Sequence, residues 1–68
     1  METITITKRI INGKIVCNKR FDDYDSGFYG KRISYNEYKE SADTNKPIKG
    51  MSFTSKALCI VERITYGN

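Results

Sequence analysis

From Thr3 the chain alternates polar and aliphatic positions, Thr3-Ile4-Thr5-Ile6-Thr7-Lys8-Arg9-Ile10-Ile11. It then pauses at Asn12-Gly13 and resumes as Lys14-Ile15-Val16-Cys17-Asn18-Lys19-Arg20. A period of two is that of a strand with one buried face, and Asn-Gly suits a two-residue turn in which both residues take positive φ. The pattern predicts an N-terminal β-hairpin. If the loop holds only Asn12 and Gly13, Ile11 faces Lys14, Ile10 faces Ile15, Arg9 faces Val16 and Lys8 faces Cys17. Ile4, Ile6, Ile10, Ile15 and Cys17 then share the core face, while Arg9, Ile11, Lys14, Val16, Asn18 and Arg20 share the other.

Phe21 to Gly27 is rich in Asp, Ser and Gly, residues that favour turns, and reads as an acidic loop. Phe28 to Ile33 fits a short strand. Ser34 followed three residues later by Glu37 is a capping box, and Ile33 and Tyr38 stand at the two positions of a hydrophobic staple, so a helix is expected from Tyr35. Asp43-Thr44-Asn45 and Pro47 limit it to about eight to ten residues, with Tyr35, Tyr38 and Ala42 on one stripe. Tyr35 and Tyr38 are expected to pack this helix on the sheet with their hydroxyls at the rim. After a linker from Asn45 to Gly50, residues 51–66 are rich in β-branched side chains, and Ala57-Leu58-Cys59-Ile60-Val61 is apolar at every position. A central strand and a helix capped by Thr54 or Ser55 both accommodate this run; Ile60, Val61, Ile64 and Thr65 favour the strand.

These elements predict a single α+β domain over residues 1–68, a small antiparallel sheet made of the N-terminal hairpin plus a long C-terminal strand, with one short helix packed on one face. One short helix covers only one side of a sheet. If Ile60 or Val61, together with Ile11 and Val16, points away from it, an apolar patch is left for a second chain, in a homodimer or a tight heterologous complex.

Size changes the picture by excluding an enclosed pocket, because a chain of 68 residues buries only roughly 60% of its unfolded surface. Any ligand site is expected to be a patch, groove or subunit interface. Twelve Lys and Arg against eight Asp and Glu give a net charge of +4, which favours an anionic partner. The chain has no histidine, the commonest general base and the usual partner of a nucleophilic Ser or Cys, so it is not expected to be an enzyme. Cys17 and Cys59 are far apart and outside any CxxC pattern; no metal site or cofactor is expected, and a disulfide would require their strands to be neighbours. Asp23-Tyr24-Asp25-Ser26-Gly27 places its glycine one position too early for a calcium-binding loop. Gly27-Phe28-Tyr29-Gly30 matches GxxG but follows an acidic turn instead of joining two helices, and it is too short for a phosphate-binding loop. No apolar stretch reaches 18 residues and Met1-Glu2-Thr3 does not open a signal peptide, so a cytoplasmic protein without membrane contact is expected.

What remains is a basic surface flanked by aromatics. Arg9, Lys14, Arg20, Lys31 and Arg32, with Ile11 and Tyr29 as apolar contacts, are the expected binding residues. The expected function is that of a non-catalytic module that docks on a larger protein or nucleoprotein complex and blocks a site. Direct, sequence-nonspecific binding of DNA or RNA is the alternative, followed by a phosphorylated small molecule at a dimer interface. Lys, Ile, Asn and Tyr, all specified by AT-rich codons, are abundant. In that style, though in no shared motif, the chain resembles accessory and inhibitory proteins of bacteriophages and mobile elements.

Overall fold

The computed structural model describes residues 2–23, 27–42 and 47–67. Five strands and one helix follow in the order β1 (Glu2–Ile11), β2 (Lys14–Asp23), β3 (Gly27–Ile33), α1 (Tyr35–Ala42), β4 (Ile48–Lys56) and β5 (Cys59–Gly67). All neighbouring strands are antiparallel, and their order across the sheet is β3-β2-β1-β5-β4.

Asn12 and Gly13 take φ of 50° and 81°, the pair of left-handed conformations that a tight primed turn requires, and Ile11 faces Lys14 as the alternation implies. Phe21, Asp22 and Asp23 continue β2 and Gly27 already belongs to β3, so most of the expected acidic loop is strand. Residues 24–26, including Tyr24 and Asp25, lie outside the described residues, as do Asp43, Thr44 and Asn45.

The long C-terminal strand is corrected to a second hairpin. Lys56 pairs with Cys59, and Ala57-Leu58 make the turn, with Leu58 at φ 68°. The apolar run Ala57–Val61 masks this turn, because no Gly, Asn or Asp marks it. The two hairpin tips meet, Asn12 N–H donating to the Leu58 carbonyl at 3.2 Å.

The helix lies where its cap places it. The Glu37 amide donates to Ser34 Oγ at 3.1 Å, and Ile33 and Tyr38 are both buried in the core. At the other end the Tyr66 hydroxyl donates to the Ala42 carbonyl at 3.0 Å, holding the last turn to β5. The core consists of Ile6, Cys17, Ile33, Tyr38, Ile64 and Tyr66, with Ile4 and Ala42 packed against it. Ile15, placed on the same face by its register, is 51% exposed. The reason is length: eight helical residues span about 12 Å, whereas ten strand residues span about 33 Å. The helix therefore covers the middle of β1 and β2 and leaves both the hairpin tip and β4 uncovered. None of the described helical residues forms a helix long and apolar enough to cross a membrane.

Beneath the helix, Lys8 Nζ lies 3.1 Å from Glu62 Oε2 and sits 5.9 and 5.8 Å from the ring centres of Tyr35 and Tyr38. The Tyr38 hydroxyl is buried beside the Glu62 carboxylate, with no well-aligned hydrogen bond among the described residues, away from the rim to which the helical stripe assigns it. Burial, and after it the nearby Glu62 carboxylate, pushes this phenol well above its ordinary range. Burial also raises the Cys17 thiol, against a smaller opposing pull from the Lys8 charge. Cys17 and Cys59 are free thiols; β1 separates their strands, and the register turns them to opposite faces.

Candidate functional site

Strand register divides the side chains into two sets, since directly opposed residues share a face. On the side without the helix, the pairings set out the open face as rows running across the sheet. Arg32, Asn18, Thr7, Arg63 and Ser52 form one row, and Gly30, Arg20, Thr5, Thr65 and Gly50 the next. Toward the hairpin tips follow Val16, Arg9, Val61 and Thr54, and then Lys14, Ile11, Cys59 and Lys56. Adjacent members of a row are about 4.8 Å apart, the spacing of hydrogen-bonded strands.

The composition of this face follows from the outward half of each alternating strand. It presents seven cations, Arg9, Lys14, Arg20, Arg32, Lys49, Lys56 and Arg63, all exposed, interspersed with Thr, Ser and Asn. Asp22 is the single carboxylate on this face among the described residues, and its Oδ1 is held 3.0 Å from Arg20 Nε. The Arg20 guanidinium also lies 4.2 Å from the centre of the Phe28 ring, so carboxylate and ring fix its plane together. An exposed pair of this kind contributes little to stability, at most about 1 kcal/mol. Its consequence is orientation, leaving the remaining N–H donors of Arg20 free of the rotamer search.

The face is concave. A shallow depression of about 420 Å³ is lined by Thr5, Thr7, Arg9, Asn18, Arg20, Asp22, Arg63 and Thr65. Thr5 Oγ1 and Thr65 Oγ1 stand 3.5 Å apart on its floor. Cations at the rim and hydroxyls at the floor make a surface complementary in charge and hydrogen bonding to anionic oxygens. Among the described residues, no three His, Cys, Asp or Glu side chains gather where they could hold a metal ion.

Of the residues singled out in the sequence, Arg9, Ile11, Lys14, Arg20 and Arg32 come together on this face. Tyr29 and Lys31 do not; they stand on the helix side, where Tyr29 stacks on Phe21 with ring centres 5.0 Å apart. Arg63, Lys56, Thr5 and Thr7 are members that sequence reasoning did not select. Arg63 alternates with Ile64 within the C-terminal strand, a signal present in the sequence, but its face depends on the pairing of β5 with β1. The apolar patch expected beside Ile11 and Val16 reduces to a narrow strip with Val61, interrupted by Arg9. Ile48, Met51 and Phe53 on β4 form a separate exposed apolar set on the helix side.

Compared with known protein families, with curated proteins and with solved structures, the chain shows no match to any.

Proposed function

We propose that the chain is a non-catalytic module that binds nucleic acid through the open face of its sheet, gripping the phosphate backbone without reading sequence. The observation that carries this reading is the separation of charge, seven cations against one carboxylate among the described residues, spread over all five strands of a concave surface. Backbone phosphates are bound by Arg, Lys, Thr and Asn in just this kind of mixture, whereas base stacking needs aromatic platforms. Phe28, at one corner, is the single aromatic among the described residues of this face, so backbone contact outweighs stacking and duplexes are expected to bind at least as well as single strands. Occupying a phosphate backbone also blocks other proteins from it, which is how an accessory or inhibitory protein would act on a nucleoprotein complex.

The test is fluorescence anisotropy of labelled duplex and single-stranded DNA and RNA at about 50 and 200 mM salt, a range over which several phosphate contacts cost orders of magnitude in affinity. Binding is expected at low salt, and Arg9→Glu with Arg63→Glu is expected to abolish it. Lys19→Glu with Lys31→Glu, on the helix side, serves as the control of equal charge change. Absence of binding at low salt, or loss of binding only in the control, would overturn the reading.

Docking of the same face on an acidic protein surface is the second reading. The strip of Ile11, Val16 and Val61 beside Arg9 favours it, since protein interfaces combine desolvated aliphatic contact with Arg. It predicts capture of a protein partner by a preparation that ignores nucleic acid.

A further inference from the structure

The two edges of the sheet are protected differently. β3 carries Lys31 and Arg32 in its second half and runs directly into the helix. β4 is exposed at every residue, and the six consecutive positions Gly50-Met51-Ser52-Phe53-Thr54-Ser55 carry neither charge nor proline. Its one irregularity lies between Ile48 and Gly50, leaving the rest of the strand straight. Exposed edges present a row of unpaired N–H and C=O groups, which charge, proline or a bulge ordinarily guards against pairing. On the helix side of this unguarded stretch, Met51 and Phe53 are each 66% exposed, beyond the reach of α1.

We propose that β4 is a dimer seam, pairing antiparallel with β4 of a second copy of this chain about a two-fold axis at Ser52. In this register segments 50–54 of the two strands, on the straight side of the bulge, overlap, and Met51 of each protomer lies opposite Phe53 of the other. Thioether and ring then cover each other on the helix side, where they are otherwise in water. Charge supports the same choice of occupant. Lys49 and Lys56 both lie outside the overlapping segments 50–54, so no lysine directly opposes another. On the open face the paired segments contribute Gly50, Ser52 and Thr54, a neutral strip with Lys49 and Lys56 at its ends. Both helices lie on one side, and the two basic faces join into one continuous surface. A single strand pair is a small interface, at the low end for specific association, so the equilibrium is expected to depend visibly on concentration.

Sedimentation equilibrium of the full chain up to about 1 mM, the weak end of specific affinity, should show monomer and dimer, with the dimer favoured by added salt because both partners are cationic. Salt would weaken nucleic-acid binding, so the two proposals stand or fall separately. Phe53→Lys places a cation opposite Glu62 within the sheet and is compatible with the fold; it should weaken dimerisation at least about tenfold with an unchanged circular-dichroism spectrum. Ser52→Cys in a Cys59→Ser background should give an intermolecular disulfide on mild oxidation, since directly opposed Cα atoms stand about 4.5–5.5 Å apart, within the span a disulfide bridges. A protein that stays monomeric at the highest concentration, or a dimer that survives Phe53→Lys at full affinity, would overturn the proposal. So would a dimer that the Ser52→Cys substitution fails to cross-link.

Discussion

Leu58, through its backbone, and Tyr38, through its buried hydroxyl, each give a measurable expectation. Leu58 is 78% exposed and holds φ at 68°, a conformation costing a non-glycine residue about 1–2 kcal/mol. Leu58→Gly removes that strain at the expense of unfolded-chain entropy, for a net gain of about 0.5–1 kcal/mol, read as a higher urea midpoint. Tyr38 buries a hydroxyl beside the Glu62 carboxylate without a well-aligned hydrogen bond, so Tyr38→Phe should change stability by at most about 1 kcal/mol at pH 7. The same residue shapes the alkaline limb. Its folded pKa lies above the ordinary 10.0 and that of Cys17 above 9.0, so in this range the unfolded chain sheds protons that the folded one keeps. Stability from both groups is complete below pH 9 and declines as the pH rises through 9 to 10 and beyond. Tyr38→Phe should flatten the part of that decline above pH 10, measured by denaturant titrations at stepped pH.

At the scale of elements, the helix depends on its two ends more than on its intrinsic propensity, since eight residues are too few to be helical alone. Ser34→Ala removes the acceptor of the Glu37 amide and should cost about 1 kcal/mol. That amounts to a fall of about 4–8 °C in melting temperature for a domain of this size, checked by calorimetry. This element is legible in the sequence: Ser34, Glu37, Ile33 and Tyr38 act within a single turn, and local chemistry needs no knowledge of distant strands. The first hairpin is legible for the same reason, through Asn12-Gly13. The second is not. Ala57-Leu58 lacks turn chemistry, and the pairing of β4 with β5 overrides the local preference of Leu58 for negative φ.

For the whole molecule, the consequence of an antiparallel sheet with a single short helix is two unlike surfaces. The helix side carries the core, the Lys8–Glu62 pair and the uncovered residues of β4; the open side carries seven cations against one carboxylate among the described residues. If phosphates bind that open side, the slope of log affinity against log salt should shrink by about 0.9 for each phosphate no longer neutralised. Arg63→Gln should then reduce the slope by about that amount, once, relative to the unmodified chain on duplex DNA. An unchanged slope would place Arg63 away from the bound backbone.

By itself the sequence determined what depends on neighbours along the chain: the register of the first hairpin, the start of the helix, the split of Arg9, Lys14 and Arg20 from Ile6 and Cys17, and the sign of the net charge. Alternation and capping act over a few residues, so their outcome is written in those residues. Tertiary structure decided which strands lie side by side, and with that the membership of the face. Arg63 joins Arg9 because β5 pairs with β1, and Tyr29 and Lys31 part from Arg32 because neighbours on a strand point to opposite sides of a sheet whose helix covers only one. Pairing between segments some sixty residues apart depends on the whole chain closing, and no window of sequence contains it.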